Sequence, residues 1–79
     1  MGYWIQSVGS PQNGESPNVK TFYADTAADI NNLPTHTKEG VPQGDLSSHK
    51  QCAYGSSCLC IETSDLYVLG KETDKWIKL

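Results

Sequence analysis

The stretch Gly55-Ser56-Ser57-Cys58-Leu59-Cys60-Ile61-Glu62-Thr63-Ser64-Asp65-Leu66-Tyr67-Val68-Leu69-Gly70, continued by 71–75 and closed by Trp76-Ile77-Lys78-Leu79, decides the fold of this chain. Two β-rich runs meet at a Ser-Asp turn, and a third follows a polar loop rich in turn formers. That is the pattern of a three-stranded antiparallel meander. Side chains alternate across a strand. In the first run Cys58, Cys60 and Glu62 share one face and Leu59, Ile61 and Thr63 the other. In the second, Leu66 and Val68 oppose Tyr67 and Leu69. In the third, Trp76 and Lys78 oppose Ile77 and Leu79. Both faces therefore carry apolar groups, and such a sheet needs two covers.

Upstream, Asp25-Thr26 opens a helix of about two turns. Thr26 and Asp29 have capping-box spacing, Ala27, Ile30 and Leu33 fall near one face, and Pro34 ends the element. So short a helix stands only when packed on a sheet, here through Ile30 and Leu33. Residues 19–24 alternate as a strand, and 3–8 form another that either adds to the sheet edge or lies on a neighbouring subunit. Prolines, glycines and an Asn-Gly pair make 9–18 a linker, and 35–54 reads as a long loop. The expected fold is α+β: a small antiparallel β-meander with one short helix and extended N-terminal and central segments. The organisation is an N-terminal arm and linker over 1–18 and a small α+β domain over 19–79 that includes the 35–54 loop.

A chain of 79 residues buries only about 60% of its unfolded surface. Its own core is thin, and a partner surface is the usual remedy. The formal net charge is −3, and none of the six basic residues is arginine. Arginine is the preferred residue for phosphate forks and guanine edges, so nucleic acid is not an expected partner. No stretch reaches the ~20 apolar residues of a membrane span. The N-terminus lacks the charged and apolar regions of a signal peptide, so synthesis in a cytosol with reduced thiols is expected.

The sharpest chemical candidate is metal. His49, Cys52, Cys58 and Cys60 fall within twelve positions, and zinc favours nitrogen and sulfur ligands. The spacing matches no standard finger or ribbon. A Cys-x-Cys pair on one strand sets both sulfurs on one face, about 6.5–7 Å apart at the backbone, which equally describes two buried core thiols. Cys52 paired with Cys58 or Cys60 in a disulfide remains an alternative. A nucleophilic Cys58 or Cys52 with His36 or His49 lacks an orienting third group, and a thiol in an apolar strand is a poor nucleophile. No catalytic constellation is present, and neither an enzyme nor a cofactor is expected. Tyr3, Trp4, Ile5, Tyr54, Tyr67 and Trp76 read as core or interface anchors, since aromatics dominate interface energetics, and these six are the expected interface residues.

Two blocks carry a resemblance. One is Tyr23-Ala24-Asp25-Thr26-Ala27-Ala28-Asp29-Ile30-Asn31-Asn32-Leu33-Pro34-Thr35. The other is the hairpin from Gly55 to Leu69, closing on Trp76-Ile77-Lys78-Leu79. Together they resemble small proteins encoded in the structural modules of tailed phages and prophages of Gram-positive bacteria. In those proteins an aspartate-threonine-alanine helix ending in Leu-Pro precedes a Gly-Ser hairpin and a terminal Trp-hydrophobic-Lys strand. The likeness spans 22–34 and 55–79, and Cys60 departs from it. It implies a virion component, expected as a capsid decoration or head-fibre-type protein on the outside of the shell. Its partners would be the major capsid protein and other copies of itself, with neither nucleic acid nor membrane. The rival within that class is a tail or head–tail connector component. From other classes come a small intracellular phage inhibitor of a host protein and a zinc-binding module.

Overall fold

The computed structural model describes residues 2–11, 18–42 and 49–79, with the backbone alone at Ser10 and Pro11. Five strands form one sheet in the order β1-β2-β3-β4-β5. They are β1 (Tyr3–Pro11), β2 (Asn18–Ala24), β3 (Ser57–Cys60), β4 (Asp65–Gly70) and β5 (Lys75–Lys78). The sheet is mixed. β1–β2, β3–β4 and β4–β5 pair antiparallel, whereas β2–β3 pair parallel through Thr21↔Ser57, Phe22↔Cys58, Tyr23↔Leu59 and Ala24↔Cys60. The expected meander is thus the C-terminal three-fifths of a larger sheet. Parallel neighbours require a long crossover, and residues 25–56 supply it.

The molecule is mostly β, and the α+β description fits only roughly. The short helix is a 3-10 turn over Ala27–Asn32, not an α-helix. Its bonds span three residues: Asp29 N donates to Thr26 O, and Leu33 N to Ile30 O. Asn31, Asn32 and Pro34 leave no room for further α turns, and 3-10 geometry suits short pieces. The Thr26–Asp29 pair is present as expected. The Asp29 carboxylate accepts from Thr26 N at 3.0 Å and Thr26 Oγ1 at 2.9 Å, and also from Gly2 N at 3.2 Å.

Of the two placements open to the N-terminal strand, the chain uses the edge of its own sheet. The run expected as an arm and linker therefore contributes β1. Met1 and 12–17, and 43–48 of the expected loop, lie outside the described residues. The described parts of the central segment are tied down: Tyr3 Oη donates to Val41 O, Cys52 N to Thr35 O, and Ala53 N to Asn18 O. Gly40 is required there, because a Cβ would lie 2.6 Å from Pro34 N and 2.7 Å from Tyr3 Oη.

The core lies between one sheet face and this crossover. Tyr3, Phe22, Ala24, Cys58, Cys60 and Leu69 point inward from the strands, and Ile30, Leu33 and Cys52 meet them. The rings of Tyr3 and Trp76 both stand edge-on to Phe22, with centroids 5.9 Å away in each case. Such T-shaped contacts add about 0.5–1.5 kcal/mol each to the burial itself.

Candidate functional site

The opposite face of the sheet follows from the register. Trp4 pairs with Tyr23, Tyr23 with Leu59, and Leu59 with Leu66. Leu79 N, just past the end of β5, donates to Leu66 O and extends this row beyond β4. The next row runs Ser7, Thr21, Ser57, Val68 and Ile77. Trp4 and Tyr23 stand edge to face at 5.7 Å, and Ile77 leans over Gly70. These side chains stay in contact with solvent: Leu66 is 43% exposed, Ile77 49% and Leu79 74%, while Trp4, Tyr23, Leu59 and Val68 are half-buried. The crossover bonds to the other side of the sheet, through Val41, Lys50 and Pro34 to Tyr3, Lys20 and Trp76. Among the described residues this outer face has no cover. The first row is apolar throughout. The second is polar at Ser7, Thr21 and Ser57 and apolar at Val68 and Ile77. An exposed apolar row of this kind is the candidate contact surface of the fold.

The six expected anchors separate. Trp4 alone belongs to the outer face. Tyr3 is a correction: at 2% exposure it is part of the chain's own core, because Tyr3 pairs with the buried Ala24. Ile5, Tyr54, Tyr67 and Trp76 are half-buried against that core. Tyr54 stacks on His36 at 4.3 Å, and Trp76 Nε1 donates to Pro34 O at 2.9 Å. The alternation of the meander already separates Leu59, Leu66 and Ile77 from the thiol side. That they join Trp4 and Tyr23 in one surface depends on the parallel β2–β3 pairing, which no local pattern announces.

The four metal candidates do not converge. Among the described residues, no three His, Cys, Asp or Glu side chains are grouped as a metal would require. Cys58 and Cys60 face the core from β3, and Cys52 lies under Pro34, its Sγ 3.7 Å from the Pro34 carbonyl. All three are free thiols. His49 Nδ1 is buried without a hydrogen-bond partner. Burial pushes the Cys52 thiol up to about 11, against the lowering pull of Ser56 and Lys20. Burial, Cys60 and Asp29 push Cys58 up to about 12. Neither thiol ionises readily, which suits core packing better than nucleophilic or ligating chemistry.

An open cleft of about 490 Å³ lies between the crossover and the β4–β5 turn, floored by Ile30, Leu33 and Trp76 and rimmed by Thr37, Lys38 and Asp74. Asp74 is already engaged. Its carboxylate accepts from Thr35 Oγ1 and His36 N at 2.9 Å, from Thr37 N at 3.3 Å and from Thr37 Oγ1. The clasp closes residues 35–37 onto the sheet instead of presenting a free carboxylate. Comparison with protein-family models, with curated proteins and with solved structures found no match to this chain.

Proposed function

We propose that this chain is a structural protein of a tailed-phage or prophage virion. In this reading it is a capsid decoration protein that binds the outer surface of the shell, through the major capsid protein, and stabilises the head. The observation that carries the reading is the outer sheet face, where Leu66 and Ile77 are exposed and Trp4, Tyr23, Leu59 and Val68 are half-buried beside them. Apolar area taken from water yields about 25 cal/mol per Å², so this surface gains most by docking onto other protein. The two sequence blocks that carry the phage resemblance support the same reading. They are adjacent in the fold, with β2 hydrogen-bonded to β3 and Ile30 and Leu33 packed in the core they share.

Protein mass spectrometry of washed, purified particles, with stoichiometry, tests this. A decoration protein is expected in tens to hundreds of copies per particle. A few copies assign the chain to a tail or connector instead, and its restriction to the lysate removes it from the virion.

A further inference from the structure

We infer that the cleft between the crossover and the β4–β5 turn binds a small apolar carboxylate, an aryl or short-chain alkyl acid. The cleft opens on the crossover side of the sheet, so the inference does not depend on what docks against the outer face. Shape is the first argument. The cleft holds about 490 Å³, within the roughly 300–1,000 Å³ of sites for small ligands. Ile30, Leu33 and Trp76 give it an apolar floor. The Trp76 indole N–H already donates to Pro34 O, so the ring offers a ligand apolar surface and no hydrogen bond.

The polar groups select the ligand. Three of the six lysines are engaged: Lys20 on the Lys50 carbonyl, Lys50 with Glu39, and Lys78 with Asp65. Of the other three, Lys38 and Lys75 both line this cleft. Neither ammonium has a partner among the described residues. Asp74, the one carboxylate in the lining, is occupied by its four hydrogen bonds from residues 35–37. Two lysines against one aspartate leave the lining net positive on a chain whose total is −3. The charge left free above the apolar floor is thus cationic, and it calls for an anion with an apolar body. Main-chain recognition is closed. The amides of Leu33, Thr35, Thr37, Lys38 and Asp74 all have acceptors within the chain. An extended peptide therefore finds no row of donors to pair with, and a phosphate finds no nest of free amides. A single carboxylate, held by side-chain ammonium groups alone, fits what remains.

The test titrates the full chain, labelled with nitrogen-15, with 3-phenylpropionate at pH 7, and follows amide and indole shifts. Saturable shifts are expected at the Trp76 indole N–H and the amides of Thr37 and Lys38, with the Trp4 indole unmoved. A fragment of this size should bind with a Kd of about 1 mM. The neutral analogue 3-phenylpropanamide should bind about five- to tenfold more weakly. The double variant K38Q/K75Q changes only exposed side chains. It should keep the spectrum elsewhere and bind acid and amide alike, losing about five- to tenfold for the acid. No saturation by about 10 mM acid, tenfold above that Kd, would overturn the inference. So would equal affinity of wild type for acid and amide, a variant that binds the acid as wild type does, or shifts centred on Trp4, Leu66 and Ile77. An acetylated tripeptide ending in phenylalanine is titrated in parallel. Binding of the peptide without binding of phenylpropionate would also overturn it, in favour of a protein chain end.

Discussion

Ser64 and Asp74 occupy the left-handed region at φ 59° and 53°, each as the last residue of a four-residue loop between strands. The conformation costs a side-chain-bearing residue about 1 kcal/mol. Ser64 is exposed, so nothing local offsets that cost. Asp74 recovers it through its carboxylate. Ser64→Gly is therefore expected to stabilise the fold by about 0.5 kcal/mol, raising Tm by about 2–4 °C. Asp74→Gly, at the same backbone geometry, is expected to cost about 1–2 kcal/mol. Thermal melts of the two variants check the opposite signs. Burial works against the charge on Asp74, but the bonds from Thr37, His36 and Thr35 outweigh it and hold the acid below its ordinary value of 3.8. A carboxylate with a lowered folded pKa contributes stability that is complete above the unfolded value and fades as pH falls through the folded one. Residues 35–37 should thus stay closed at neutral pH and lose amide protection below about pH 4, which hydrogen exchange reads directly.

The buried thiols set the opposite, alkaline limit. The unfolded chain deprotonates them near the ordinary value of 9.0, whereas in the fold burial holds Cys52 to about 11 and Cys58 to about 12. Stability is therefore full below pH 9 and falls above it, by about 1.4 kcal/mol per pH unit for each such thiol until its folded value is reached. Urea titrations between pH 8 and 11 measure that slope. At pH 8, native protein should resist iodoacetamide at all three cysteines, and denatured protein should take three labels.

At the scale of elements, the 3-10 turn is a clamp more than a helix. One carboxylate oxygen of Asp29 gathers Gly2 N, Thr26 N and Thr26 Oγ1 and so ties the start of β1 to the end of β2. Asp29→Ala strands the buried Gly2 amide and the part-buried Thr26 amide and is expected to cost about 2–3 kcal/mol. Asp29→Asn, which keeps an acceptor, should cost less than half as much. Denaturant midpoints at neutral pH separate them. Sequence spacing made the Thr26–Asp29 pair legible, because capping is a local device. The bond to Gly2 was not legible, because it joins residues 27 positions apart.

At the scale of the molecule, the central decision is the parallel docking of β2 beside β3. It buries Phe22 under both Tyr3 and Trp76, and Phe22→Ala is expected to remove about 3–5 kcal/mol. That is a large share of what a chain this short holds, so the variant should be largely unfolded at 37 °C by circular dichroism. The same docking sets Trp4 and Tyr23 in line with Leu59 and Leu66 and so assembles the outer face. Tyr3, by contrast, looked like its neighbours Trp4 and Ile5 as a partner anchor, and only the pairing partner of its strand sent it inward.

The sequence by itself determined where the five strands lie, though it ended β1 at Val8 and read residues 9–11 as linker. It also determined the two β3–β5 hairpins, the Thr26–Asp29 cap and the stop at Pro34, and it placed the thiols and Leu59 on opposite faces of β3. Those features follow from alternation, turn chemistry and spacing within a few residues. Tertiary structure alone decided that the sheet has five strands with one parallel joint, which face the crossover covers, and which aromatics are left outside. Those outcomes depend on contacts between distant residues, where the entropy of closing a long loop is weighed against burial that no local stretch records.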